Sequence, residues 1–212
     1  MSLAVVQTCY KKTIFVNHDV TFSSPVTAGN LLILFINNLA TAQLSADWQP
    51  LDDTGNFLIA GRIALSGDGT TPPPYWVETS NIASAICVEV SGFTGTITSA
   101  FEGLTTSTAP NFNGPATANN NDLAFCAWVQ GSGFGTYTPG SGWTNLHYSG
   151  NESMGVDYQI VPTAGTVPID NSNNSVGGNA GKWSLPIFGL GSGGGGGGGS
   201  GKNRLVTASM GF

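Results

Sequence analysis

The chain has 212 residues, of which 40% are hydrophobic and only 8% are charged. An ordinary soluble domain carries about 25% charged residues, so uncharged polar side chains and glycine must cover most of this surface. The net charge of −6, with six basic residues in all, argues against the lysine and arginine clusters by which proteins bind nucleic acid. Apolar runs such as Leu31 to Ile36 are too short to span a bilayer, so we expect no membrane partner either.

The first half of the chain predicts short β-strands separated by turns. β-branched and apolar residues at 2–9, 13–16, 31–37, 57–65 and 84–90 predict strands, and 96–101 is a weaker candidate. The segment 31–37 is apolar at nearly every position, which predicts a central strand with both faces covered. Turn-forming residues at 17–19 and 66–69 separate these runs. No segment keeps helical spacing for a dozen positions, so we expect no helix.

The second half offers fewer but similar elements. Strands are predicted at 122–130, 156–161 and 182–188, with turns at 131–133 and 139–142. The segment 102–121 is rich in threonine, asparagine and proline, and it fits a crossover strand as well as a linker.

Two stretches of the sequence resemble each other and define the organisation. Pro25 and Pro115 each precede an apolar strand, and Trp48 and Trp143 are each followed by a leucine three residues later. A repeat of this length indicates one unit used twice, as pseudo-repeats at about 1–100 and 101–190. We predict an all-β, jelly-roll-like antiparallel β-sandwich in which both repeats share one core, forming a domain at 1–190. Two separate small sandwiches are the alternative.

The composition changes abruptly at 191–212, an extended glycine-rich C-terminal tail. Seven consecutive glycines occupy 193–199, and such a run by itself is a flexible tether. The segment 203–212 alternates loosely, and it can add as a strand to a sheet edge of its own chain or of a neighbour. The alternative is a disordered tail. The residues that we expect to dock are Arg204, Leu205, Val206, Met210 and Phe212.

No catalytic motif stands out. The chain has two histidines and no Gly-x-Ser-x-Gly sequence, which argues against a serine hydrolase. Glu89 and Asp157 each interrupt an apolar strand, where a carboxylate either points outward by alternation or is buried with a partner. Outward is the expectation. His147 is expected to be a half-exposed strand residue, with a binding patch beside Trp143 and Tyr148 as the alternative. We predict a protein that is not an enzyme.

The sequence predicts neither a metal site nor a cofactor. Cys9, Cys87 and Cys126 lack the Cys-x-x-Cys spacing of a structural zinc site, and Cys87 and Cys126 lie in apolar runs that favour buried thiols. The acidic loops 52–54 and 66–69 lack the ligand alternation of a calcium loop, so plain turns are expected there.

A proline-braced loop at 72–76 presents two adjacent aromatic residues, Tyr75 and Trp76. A sugar ring stacks on exposed aromatic faces while nearby polar groups bind its hydroxyls. Asn56, Glu78 and Asn81 supply such groups close in sequence, so these five residues are the candidate glycan site. The alternative is that Tyr75 and Trp76 cap one open end of the sandwich.

Several motifs resemble those of a family of β modules of roughly the same length. They are the sequences at 27–33 (TAGNLLI), 67–69 (GDG) and 86–92 (ICVEVSG), and in the second half those at 121–125 (NDLAF) and 140–143 (GSGW). Such modules occur in phage-encoded and bacterial surface proteins, and the glycine-rich tail is similar to the tips of some phage tail-fibre adhesins. The resemblance implies a β-sandwich over about 3–190, and it supplies no catalytic residues.

The sequence therefore leads to a hypothesis about function. A polar, charge-poor surface without a secretory signal fits a virion protein, made in the host cytoplasm and used outside the cell. We expect a non-enzymatic phage structural protein, a subunit of a tail fibre, tail appendage or capsid decoration, whose tail docks on a neighbour. The resemblance implies a homotrimer, and we expect other virion proteins and a host surface glycan as its partners. The alternatives are a carbohydrate-binding module or lectin-like adhesin, and then a polysaccharide-degrading enzyme.

Overall fold

The structure, a computed structural model, describes residues 2–14, 19–37, 44–53, 57–73, 82–108, 111–129, 137–148, 154–170 and 182–189. The described residues form twelve antiparallel strands and one short helix, which confirms the predicted all-β class. In chain order the strands are β1 (Ala4–Ile14), β2 (Leu31–Asn37), β3 (Gln49–Asp53), β4 (Phe57–Ile63), β5 (Ile82–Ser91), β6 (Phe101–Ser107), β7 (Asn111–Ala116), β8 (Asp122–Val129), β9 (Thr144–Tyr148), β10 (Met154–Val161), β11 (Thr166–Asp170) and β12 (Lys182–Phe188).

The strands form two five-stranded sheets and one two-stranded ribbon. The first sheet has the order β1-β5-β2-β4-β3, the second has β6-β12-β8-β10-β9, and the ribbon pairs β11 with β7. When the strands of each large sheet are counted along the chain, both sheets have the same order: first, fifth, second, fourth, third. The matching strand order is what a unit used twice would produce. The internal repeat itself is our interpretation of the sequence.

The two large sheets pack face to face over a shared core. Leu31, Ile33 and Phe35 of β2 belong to the same buried cluster as Leu123 and Phe125 of β8. The rings of Phe35 and Phe125 lie 5.4 Å apart between the sheets. A face-to-face arrangement of this kind is a β-sandwich.

The outer faces of both sheets are also covered. Val20, Phe22 and Val26, which precede β2, pack with Leu32 and Leu34 on the outer face of the first sheet. On the second sheet the ribbon residues Val167 and Ile169 cover Ala124 and Cys126, with partly buried aromatic residues around them. This double covering explains why β2 and β8 are apolar at nearly every position.

The segment at 96–101 corrects one prediction. It forms a one-turn helix, α1 (Ile97–Ala100), before β6 begins at Phe101. Thr96 and Ser99 each bond the other's backbone N–H, and this capping box favours a helical turn over a strand. The segment 102–121, for which strand and linker were both open, supplies most of β6 and all of β7. No helix in the described ranges has the length and apolar character needed to cross a membrane.

Candidate functional site

An aromatic cluster lies on the outer side of the second sheet. The rings of Trp128 on β8, Tyr148 on β9 and Tyr137, which precedes β9, have centroids 4.8 to 5.6 Å apart. Gly155 of β10 pairs in register with both Trp128 and Tyr148. A Cβ at this glycine would collide with the indole of Trp128. The glycine therefore makes the space in which Trp128 lies across its neighbouring strand.

Asp157 is the polar centre of this cluster. Its side chain is buried on β10, where its carboxylate accepts hydrogen bonds from the hydroxyl of Tyr137 and, at 2.7 Å, from Nδ2 of Asn145. Asn145 is exposed on β9, directly opposite Asp157 in the register. Burial raises the pKa of Asp157 to about 8, because the charged form loses its hydration. This result overturns the expectation that Asp157 points outward.

Trp143 extends the cluster toward solvent. It is partly buried just before β9 and packs against the same apolar residues as Tyr137 and Tyr148. The next two residues, Thr144 and Asn145, are exposed. The Asp157 carboxyl is buried and bonded within the protein, so the groups left for a sugar ring and its hydroxyls are the aromatic face of Trp143 and the exposed amide of Asn145. We call Tyr137, Trp143, Asn145, Tyr148 and Asp157 the β9 aromatic cluster.

His147 stacks on an aromatic residue of the first sheet. The imidazole is partly buried and stacks on Tyr10 of β1, with centroids 4.1 Å apart and planes at 7°. This contact joins edge strands of the two large sheets. The placement matches the expected half-exposed strand residue and gives it a packing role across the sandwich.

Glu89 is buried, which also overturns the outward expectation. One carboxylate oxygen accepts hydrogen bonds from the Thr27 N–H at 2.8 Å and from Nδ2 of Asn30 at 2.6 Å. The other accepts a hydrogen bond from Nε2 of Gln7 at 2.6 Å. Gln7 Nε2 also donates to the carbonyl of Ser24. Glu89 therefore binds the segment that covers the outer face of the first sheet, and all its contacts are structural.

Two further carboxyl groups, of Glu102 and Asp122, converge on Gly189 at the end of β12. Asp122 is fully buried and accepts a hydrogen bond from the Asn119 N–H at 2.8 Å. Glu102 accepts from the Ala118 N–H at 3.0 Å and from Nδ2 of Asn119 at 3.1 Å. Burial, with the nearby Asp122 as a smaller cause, raises the pKa of Glu102 to about 7. A Cβ on Gly189 would collide with the carboxyl group of Glu102. The glycine therefore lets the two carboxyl groups lie close to its backbone.

The acidic turn at 66–69 binds the side chain of Arg62. Asp68 forms a buried ion pair with Arg62 at 2.9 Å and also accepts the Leu65 N–H. The guanidinium lies 5.8 Å from the centre of the Trp48 ring, and the Trp48 indole N–H donates to the carbonyl of Pro73. Within the described ranges, no group of three or more His, Cys, Asp or Glu side chains is arranged to hold a metal ion.

The residues that the sequence singled out as sites lie elsewhere in the chain. The candidate glycan residues Asn56, Tyr75, Trp76, Glu78 and Asn81 are outside the described residues, and so are the docking residues Arg204, Leu205, Val206, Met210 and Phe212. Sequence reasoning considered a patch around Trp143, Tyr148 and His147 but missed Tyr137 and Asn145. Only the β9–β10 register, which places Asn145 opposite Asp157, would have revealed Asn145.

No protein-family model, curated protein or solved structure matches this chain. The resemblance to phage-encoded β modules is therefore a hypothesis, and the geometry above is the basis for any functional proposal.

Proposed function

We propose that this chain is a non-enzymatic structural subunit of a phage virion, in a tail fibre, tail appendage or capsid decoration. In this proposal the sandwich is a rigid unit, and residues 203–212 of one copy dock on the next copy in a homotrimer. A charge-poor surface and a glycine tether support the proposal, because a tether lets a docking segment reach a neighbouring subunit.

The observation that carries the proposal is the free edge of β1. Among the described residues, β1 pairs with β5 alone, and its eleven residues make it the longest strand. Val6 lies at a register irregularity, has no partner on β5 and is 50% exposed. Beyond this bulge, the outward backbone groups of a long edge strand can pair with an added strand. The ten residues at 203–212 are long enough to pair along most of it.

Removal of residues 191–212 tests the role of the tail. We expect light scattering to show an oligomer for the whole chain and a monomer for the truncated chain. Circular dichroism should show the same strand signal for both. An oligomer of unchanged mass after truncation, or a whole chain that is monomeric at high concentration, would refute docking by the tail.

A matched pair of lysine substitutions tests whether the tail docks on the edge of β1. Val6→Lys places a charge on the free edge of β1, where a lysine disfavours strand addition. Ile160→Lys is the matched change, at a residue that is 42% exposed on β10 of the other large sheet, away from β1. We expect Val6→Lys alone to weaken assembly. Equal effects of both changes would exclude β1 as the acceptor.

The second candidate function is glycan binding, and the β9 aromatic cluster favours it. Trp143→Ala should abolish binding on a glycan array, while Trp143→Tyr, which keeps an aromatic face, should retain part of it. Trp76→Ala tests the candidate site at 72–81 in the same assay. Loss of binding with Trp76→Ala alone would assign the glycan site to the loop at 72–81. Absence of binding by the unmodified chain would exclude glycan recognition.

A further inference from the structure

Two of the three cysteines face each other across neighbouring strands. Cys9 of β1 and Cys87 of β5 are direct partners in the antiparallel register. Directly opposite residues have Cα atoms about 4.5 to 5.5 Å apart and project their side chains to the same face. Disulfides form when this distance is about 4.4 to 6.8 Å, so the backbone already satisfies the main requirement.

The thiols of Cys9 and Cys87 differ in their exposure to solvent. Both belong to the apolar cluster on the outer face of the first sheet, where Cys87 is completely buried and Cys9 is partly exposed. Cys9 is also close enough to help raise the pKa of the Cys87 thiol. Cys126 lies on β8 of the other sheet and is buried in a different cluster. A soluble oxidant therefore reaches Cys9 first, and Cys87 is the thiol positioned to react next.

We propose that Cys9 and Cys87 form a disulfide that joins the edge strand β1 to β5 when the protein meets an oxidising environment, with a small disulfide such as oxidised glutathione as the oxidant. The Cys9 thiolate attacks one sulfur of the oxidant and releases one glutathione thiolate, which leaves a mixed disulfide on Cys9. The Cys87 thiolate then attacks the Cys9 sulfur and releases the second glutathione thiolate. Two protein thiols are oxidised, one glutathione disulfide is reduced, and the two thiol protons pass to the released glutathione.

The second attack limits the rate. Burial raises the pKa of the Cys87 thiol, and the nearby Cys9 adds to this effect, so little thiolate is present near neutral pH. A backbone hydrogen bond from Val88 and the charge of nearby Arg62 act in the opposite direction. Disulfide formation should therefore accelerate as pH rises. The inference does not depend on the proposed function, although a protein made in a reducing compartment and used outside the cell would undergo this change on release.

The test incubates the folded whole chain with mixtures of reduced and oxidised glutathione. We expect two of its three thiols to be lost, a Cys9–Cys87 cross-linked peptide in a non-reducing digest, and a higher urea midpoint for the oxidised than for the reduced chain. Cys126→Ala is the matched control and should behave as the unmodified chain does. Cys9→Ser, a change at a partly exposed position that should leave the fold intact, should lose the cross-link and the shift in midpoint.

Any of the following outcomes would overturn the proposal. They are retention of all three thiols in excess oxidised glutathione, a stable mixed disulfide on Cys9 that never resolves, and a disulfide between two chains. A cross-link that includes Cys126 would overturn it as well, because the second sheet would then have to open to react.

Discussion

Replacing Asp157 with asparagine should remove a loss of stability that we expect as pH rises from 3.8 to about 8. The folded-state pKa of Asp157 is about 8, against an ordinary value of 3.8. The folded chain therefore binds this proton more tightly than the unfolded chain does. The stabilisation is fully present below the unfolded value and is lost as pH rises through the folded value. Asparagine carries no such proton, and its amide oxygen still accepts the hydroxyl of Tyr137.

The magnitude follows from proton linkage. In the middle of this window each pH unit lowers the free energy of unfolding by about 1.4 kcal/mol. Glu102, with a folded pKa of about 7, contributes a loss of the same sign at lower pH. Between pH 7 and 8 the contribution of Asp157 is the larger one, because its carboxyl is ionised in the unfolded chain but still largely protonated in the folded chain, and the free energy of unfolding falls by about 1 kcal/mol. Asp157→Asn should remove this step, whereas Glu102→Gln should leave most of it.

Urea unfolding followed by tryptophan fluorescence, at constant salt and with a reductant present, measures this difference at each pH from 5 to 9. The reductant keeps Cys9 and Cys87 as thiols, so that only proton binding varies. If the unmodified chain is equally stable at pH 7 and 8, or if Asp157→Asn keeps the same slope, then the buried carboxyl does not hold its proton as argued.

Three substitutions test the packing and the buried charges by the same urea method. Gly155→Ala drives a methyl group into the indole of Trp128 and should lower the free energy of unfolding by about 1 to 3 kcal/mol. Asp68→Asn leaves the charge of Arg62 buried without its partner and should cost about 3 to 5 kcal/mol. Glu89→Gln replaces an acceptor of three hydrogen bonds with a group that places a donor against other donors, and it should cost about 1 to 3 kcal/mol.

Matched controls separate these mechanisms from general sensitivity. Gly67→Ala adds a methyl group where nothing lies within 4 Å, so it should change stability little. Asp19→Asn removes an exposed ion pair with Lys11, which contributes about 0 to 1 kcal/mol. If either control destabilises the chain as much as its buried counterpart, the assigned cause is wrong.

The strands of the sandwich were predictable because hydrophobic runs report burial directly. The bounds of β2 and β12 match the predicted segments 31–37 and 182–188, and β8 differs from 122–130 by one residue. The strands β3 and β11 were not predicted, whereas β7 was indicated only by the strand alternative for 102–121 and β9 only by the expected strand position of His147. They are short and contain proline, asparagine or aspartate, which single-sequence patterns assign to turns. Their pairing depends on partners that are distant in the sequence.

The candidate site was less predictable for a related reason. Alternation assigns Glu89 and Asp157 to a wet face only if one face of each sheet is exposed to water. Both outer faces are covered here, by the segment before β2 and by the β7–β11 ribbon with its aromatic neighbours. The sequence shows that a strand is apolar on both faces, but it does not identify the segment that covers the second face.

The buried acids share one role that explains why a chain with so few charges keeps them inside. Glu89 binds the segment before β2, Asp68 closes its own turn on Arg62, and Asp122 holds the turn at 117–121. Asp157 holds the residue that leads into β9. Each carboxyl joins a strand or turn to a non-repetitive segment that offers N–H or O–H donors and no ladder partners. Hydrophobic contact alone does not fix the position of such a segment, whereas directional hydrogen bonds do. We therefore expect neutralising substitutions at Glu89, Asp68 and Asp122 to loosen the segments that they hold first and to leave the core between the sheets intact, which hydrogen exchange can resolve residue by residue.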